Sequence, residues 1–133
     1  MKEQNSLSKP GTLITVDPVI AAEQTTNYRN FMQGSGINEI AFYIRAEDLL
    51  GALQLPFELP EGHNITGVRV YMALEELPNN NHSHLYVVGT DENNNDIILD
   101  SNNQSQIYDM TWPCPDLCSQ ANILNGLGAD AKQ

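Results

Sequence analysis

The feature that most constrains this chain is the change in its apolar period at Gln33-Gly34-Ser35-Gly36. Before that point, Ile20, Ala21, Gln24, Tyr28, Phe31 and Met32 fall within a helical arc of roughly 120°, since each residue advances about 100°. Asp17 followed by Pro18 marks the start. An Asp side chain accepts from open helical N–H groups, and Pro, which has no N–H, suits the first helical position. The glycines at 34 and 36 stop the helix. The spacing therefore predicts an amphipathic N-terminal helix with Tyr28, Phe31 and Met32 as its core anchors.

After the glycines the period becomes two, which is that of a strand. Residues 39–45 alternate Ile40, Phe42 and Ile44 against Ala41, Tyr43 and Arg45. A short helix is predicted over 46–55, with Glu47 and Asp48 favourably placed in its first turn and Pro56 at its end. Residues 65–74 form a second strand, with Val68, Val70, Met72 and Leu74 on one side and Gly67, Arg69, Tyr71 and Ala73 on the other. Pro78-Asn79-Asn80-Asn81 makes a turn. Residues 84–90 form a third strand with Leu85 and Val87 inward and His84, Tyr86, Val88 and Thr90 opposite. Ile97-Ile98-Leu99 reads as a fourth, and 107–112 as a fifth, irregular one. The connections are short and turn-rich, which favours an antiparallel meander. The expected fold is α+β: an antiparallel or mixed sheet of four to five strands with a long N-terminal amphipathic helix packed on one face. Residues 1–11 read as a flexible arm, 12–128 as a single domain and 129–133 as a tail, with a last helical turn near 122–128 and no internal repeat.

Charge narrows the partners. Seventeen Asp and Glu stand against six Lys and Arg, a formal net charge of −11 in 133 residues. Such a field repels a phosphate backbone and an anionic membrane surface, so neither nucleic acid nor membrane is expected as a partner. Residues 1–11 lack the apolar stretch of a secretory signal, and no apolar run approaches the ~18 residues of a membrane span. A cytoplasmic location is the expectation, and there the two cysteines favour free thiols or a metal over a lasting disulfide.

Several short motifs carry a resemblance. Gly67-Val68-Arg69-Val70-Tyr71, the run 85–91 with Gly89 before Thr90-Asp91, the Asn95-Asp96 turn, Asn27-Tyr28-Arg29 and Cys114-Pro115-Asp116-Leu117-Cys118 are similar to those of a group of small uncharacterised bacterial proteins. The resemblance covers most of the chain from Val16 onward. Where that group has Gly in the hairpin turn, this chain has Asn94, which also tolerates a left-handed turn. A shared fold is implied, and no activity.

Four constellations could carry chemistry. Cys114 and Cys118 are a Cys-x3-Cys pair, one residue longer than the redox Cys-x2-Cys. With His82 and His84, two apart on a strand and therefore on one side, they would make a tetrahedral zinc site of two thiolates and two imidazoles. Asp91, Asn93 and Asn95 take the first alternate positions of a calcium loop. However, Asp96 stands where that loop needs Gly, and Asn102 where it needs a bidentate Glu, so a polar turn is expected there instead. The second side of the sheet gathers Tyr43, Arg45, Arg69, Tyr71, His84 and Tyr86, including two of the three arginines. An Arg fork binds carboxylate or phosphate, and Tyr stacks or donates a hydrogen bond. Such residues equally pack on one another and on a helix, with Arg69 paired to a nearby Glu or Asp.

Catalytic signatures are thin: there is no Gly-x-Ser-x-Gly elbow, phosphate-cradling Gly loop or His-Glu-x-x-His helix. His63 beside Glu61 reads as solvated, and Trp112 beside Pro113 as a plug at the core edge. The expected function is a small non-enzymatic binding or interaction domain, without a cofactor, that takes a protein or small-molecule ligand on Tyr43, Arg45, Arg69, Tyr71 and Tyr86 or on residues 112–118. A thiol or structural zinc protein built on His82, His84, Cys114 and Cys118 is the alternative, with a small enzyme as a third. Self-association stays open.

Overall fold

The computed structural model describes residues 13–78, 80–111, 120, 123, 124 and 126. Among them, β1 (Ile14–Thr15), α1 (Pro18–Phe31), β2 (Ala41–Arg45), α2 (Ala46–Ala52), β3 (Gly67–Glu76), β4 (Asn81–Thr90) and β5 (Tyr108–Asp109) follow in order. The strands make one sheet in the order β1-β5-β4-β3-β2, antiparallel at every pairing. The α+β architecture with a helix on one face is as expected. No helix among the described residues is long and apolar enough to cross a membrane.

α1 starts where the dipeptide Asp17-Pro18 says it must. Asp17 Oδ2 accepts from the backbone N–H of Val19 at 3.0 Å and of Ile20 at 3.4 Å, which satisfies donors that lack partners in the first turn. At 14 residues the helix is about four turns, shorter than the long element expected. Its contact stripe also differs. Ala21 is buried, Gln24, Thr25, Tyr28 and Met32 are half-buried, and Phe31 is 67% exposed. Phe31 is thus not a core anchor, whereas Tyr28 and Met32 are half-buried: the helix turns Ala21, Gln24, Thr25, Tyr28 and Met32 inward and leaves Phe31 and Ile20 toward solvent. α2 ends at Ala52, before the expected 55, where Gln54 turns the chain at a φ of 62°.

β3 and β4 form the central hairpin, with Arg69 opposite Val88, Tyr71 opposite Tyr86 and Ala73 opposite His84. β4 begins at Asn81, three residues before the expected 84, so the strand includes His82, opposite Glu75. The core is Ala21, Ala73, Tyr86, Val88 and Ile107, with Val16 and Tyr71 packed against it. Tyr86 and Val88 therefore face the helix, whereas the period had placed Leu85 and Val87 inward. Both sides of this hairpin carry apolar residues, and α1 covers the side with the tyrosines. Val87 and Leu74 are buried on the other side too, yet that side ends at Phe42, which is 52% exposed. Thr90, fully buried, pairs its hydroxyl with that of Thr66 at 2.8 Å, so its burial leaves no polar group stranded.

Residues 97–99 are not a strand. Single bridges join Thr90 to Asp96 and Leu99 to Ser105, and two tight turns of one design lie between the bridged residues. In residues 91–95, Asp91 Oδ1 accepts from Asn93 N and Asn95 N, and Asn94 sits at a φ of 66°. In residues 100–104, Asp100 Oδ1 accepts from Asn102 N and Gln104 N, and Asn103 sits at 62°. The Asp-x-Asn-Asn pattern therefore repeats after nine residues, contrary to the expectation of no repeat. Each Asp mimics a backbone turn, and each Asn takes the left-handed position that most side chains resist.

Candidate functional site

The helix-facing side of the sheet is built around Asp96. The turn over 91–95 returns the chain so that Asp96 bridges Thr90 and reaches across β4 to β3. Its Oδ1 accepts from Arg69 Nη1, and its Oδ2 accepts from the Tyr71 hydroxyl. Arg69 also donates to Asn94 Oδ1 at 2.9 Å, and its guanidinium carbon stands 5.7 Å from the centre of the Tyr43 ring. That ring lies over Gly67, where an added Cβ would come within 2.9 Å of it and 2.3 Å of the Ile44 carbonyl oxygen. Glycine is required there because β2 and its tyrosine approach so closely. The Arg69 and Asp96 side chains retain only 19% and 17% of their exposure, so water screens this pair far less than an ordinary surface pair.

Four of the five residues expected to bind thus share one face: Tyr43, Arg69, Tyr71 and Tyr86. Arg45 stands at its edge, its Nε and Nη2 each 2.9 Å from the Asp48 carboxylate, with Glu47 beside it. Arg45 holds the exposed Asp48 carboxyl below the usual carboxylate range, mainly through that hydrogen bond. Both guanidinium forks are engaged within the chain.

A cleft of about 190 Å³ opens between the first half of α1 and this face. Pro18, Ala21, Ala22 and Thr25 line it from the helix, at the spacing of one helical stripe. Tyr71, Tyr86 and Val88 line it from the sheet, and Asp96, Ile98 and Ile107 from the turns. The helix residues are too small to fill the space above two tyrosines, and that shortfall is the cleft. Its tyrosines are shielded: the Tyr71 phenol is pushed up to about 12 by burial and then by the neighbouring Asp96 carboxylate. The Tyr86 phenol is pushed up to about 12 by burial and then by Asp109 and Glu75. Tyr86 donates to Gln24 Oε1 on α1. A second hollow of about 240 Å³ lies on the opposite face among Leu13, Val68, Val87, Ile97, Tyr108 and Met110, with no charged residue in its wall among the described residues.

His84 sits beside the cleft, stacked on Tyr86 with ring centres 5.5 Å apart. Its Nε2 is 2.9 Å from Glu75 Oε1 and its Nδ1 is 3.3 Å from Asp109 Oδ2, so both ring nitrogens face carboxylates from neighbouring strands. His82 is exposed opposite Glu75. The other half of the expected metal set, Cys114 and Cys118, lies outside the described residues, as does Trp112. Among the described residues, no group of three or more His, Cys, Asp or Glu side chains is placed to hold a metal ion. The calcium-like spacing at 91–95 is the polar turn expected, since the Asp91 carboxylate is engaged by its own loop.

Sequence reasoning did not identify Asp96, Gln24 or Ala22 as site residues. The one usable signal for Asp96 was negative: it is a carboxylate where a calcium loop would have glycine. An α+β chain with one antiparallel five-stranded sheet and a cleft under its first helix is the class that fold and site define. No family model, no curated protein and no solved structure matches the chain.

Proposed function

We propose that this chain is a non-enzymatic binding domain that takes the apolar part of a small molecule into the cleft between α1 and the sheet. The observation that carries this reading is the cleft itself: about 190 Å³, with apolar walls and a few convergent polar groups. That combination is the usual form of a small-ligand site. The volume suits a single ring or a short chain, since an apolar cavity of about 150 Å³ takes up benzene. The non-catalytic half of the reading is supported by the pairing of the titratable groups: Arg69, Asp96 and Tyr71 hold one another, and His84 is held between Glu75 and Asp109. The test is amide NMR with a library of single-ring compounds. Shifts confined to Ala21, Ala22, Thr25, Tyr71 and Val88 support the cleft, and shifts elsewhere or none at all refute it.

A second reading, an interaction domain, is favoured by the open apolar side of the sheet, where Phe42 and Ile40 are about half exposed. Light scattering after gel filtration tests self-association on that side. A Phe42→Ser variant would then shift the population toward monomer.

A further inference from the structure

From the hydrogen-bond inventory of the cleft, we infer that its ligand is a small organic ammonium ion with an apolar body, its cationic head directed at Asp96 and the two tyrosine hydroxyls. This inference rests on the cleft reading above and adds the chemical class.

A hydroxyl has one proton to give and two lone pairs to offer, and an ionised carboxylate offers lone pairs alone. Among the described residues, three hydroxyls line the cleft, and each proton is already committed. Tyr71 donates to Asp96 Oδ2, Tyr86 donates to Gln24 Oε1, and Thr25 donates to the Ala21 and Ala22 carbonyl oxygens at 2.9 and 3.1 Å. Arg69, whose guanidinium meets Asp96 of the wall, is engaged by Asp96 and Asn94. The described side chains of the wall are therefore rich in acceptors and have no proton left to donate. A carboxylate or a ketone placed there would lose its water and gain no donor, a cost on the order of 1–3 kcal/mol per unpaired group. A ligand with its own N–H groups meets the opposite situation.

Charge separates an ammonium from a neutral donor such as an alcohol. Asp96 in the wall is balanced by Arg69, so the surplus negative charge is that of Glu75 and Asp109, which flank His84 where it stacks on Tyr86. Burial first, and then the nearby carboxylates, hold both phenols in their neutral form, with Arg69 opposing that shift at Tyr71. Tyrosine rings also attract a cation at their faces. The formal net charge of −11 draws cations toward the protein from a distance.

The test is calorimetric titration of the full chain with three probes of one shape: benzylammonium, benzyl alcohol and benzoate. The expected order is benzylammonium tightest, with a dissociation constant on the order of 1 mM or below, benzyl alcohol about tenfold weaker, and benzoate without measurable binding. Two variants guard against misreading. Ala22→Phe fills the cleft from its exposed rim and removes binding of benzylammonium and benzyl alcohol. Asp96→Asn removes the charge, keeps one oxygen for Arg69 and turns its amide N–H toward the Tyr71 oxygen, and it reduces the preference for ammonium over alcohol to about threefold or less. Benzyl alcohol binding as tightly as benzylammonium, with both lost in Ala22→Phe, overturns the ammonium class and leaves the cleft reading standing. Benzylammonium binding that survives Ala22→Phe is adsorption to an acidic surface and overturns the inference. Absence of binding by all three probes overturns the inference and the cleft reading together.

Discussion

Replacing Asp96 with Ala tests how the helix-facing side of the sheet is held together. The substitution removes the partner of a guanidinium and of a phenol at once. Breaking a fully buried ion pair by removing one member costs about 3–5 kcal/mol, because the remaining charge has lost its water. Here Arg69 and Asp96 keep 19% and 17% of their side-chain exposure, so water reaches Arg69 in the variant and the cost falls to roughly half of that range. Loss of the Tyr71 bond to a charged acceptor is worth about 1.5–3 kcal/mol alone, but the two losses share one carboxylate and do not add. The expected destabilisation is therefore about 2–3 kcal/mol. For a chain of 133 residues that corresponds to a fall in Tm of about 10 °C. Urea unfolding followed by far-UV circular dichroism measures it, and the denaturant slope should stay unchanged. A Tyr71→Phe substitution should cost about 1 kcal/mol less in the Asp96→Ala background than in the parent chain, because the hydroxyl has no acceptor left to lose. A loss below about 0.5 kcal/mol for Asp96→Ala, the range of a solvated surface pair, would refute the reasoning, as would strict additivity with Tyr71→Phe.

Two further predictions follow from single residues. Tyr71 and Tyr86 have folded-state pKa values pushed up to about 12 from the ordinary value near 10, so their contribution to stability is complete below pH 10 and is lost as pH rises through 12. Phenolate absorbance should thus show two of the five tyrosines ionising late, and Tyr71→Phe with Tyr86→Phe should remove that late phase. Gly67→Ala places a Cβ 2.3 Å from a backbone oxygen, so β2 must move. The expected cost is about 1–3 kcal/mol, read from the same urea transition, and a neutral result would show that β2 is not held against β3 as described.

Much of the fold is legible in local chemistry. Asp17-Pro18 and Gly34 bound α1 because capping and left-handed turns are decided by a few adjacent residues. The alternation in β2, β3 and β4 placed Tyr43, Arg69, Tyr71, His84 and Tyr86 on one side, because a period of two is a property of the strand itself. What alternation cannot state is which side is covered. Val68, Val70 and Val87 on one side are as apolar as Ala73, Val88 and Tyr86 on the other, and only the seating of α1 decides between them. The two turns at 91–95 and 100–104 were also present in the letters as Asp-x-Asn-Asn. Two copies of a four-residue turn pattern do not make a repeat architecture, which needs three or more stacked units.

The sequence by itself determined an acidic α+β chain, the start and stop of its first helix, and the set of side chains sharing each face of its central hairpin. Tertiary structure alone decided that the tyrosine face lies under α1, that Asp96 out of seventeen carboxylates meets Arg69 and Tyr71, and that small residues on α1 leave a cleft above them. The physical reason is one of range. Capping, turns and alternation act within a few residues, whereas a pairing such as Arg69 with Asp96 spans 27 positions and depends on where the 91–95 turn returns the chain.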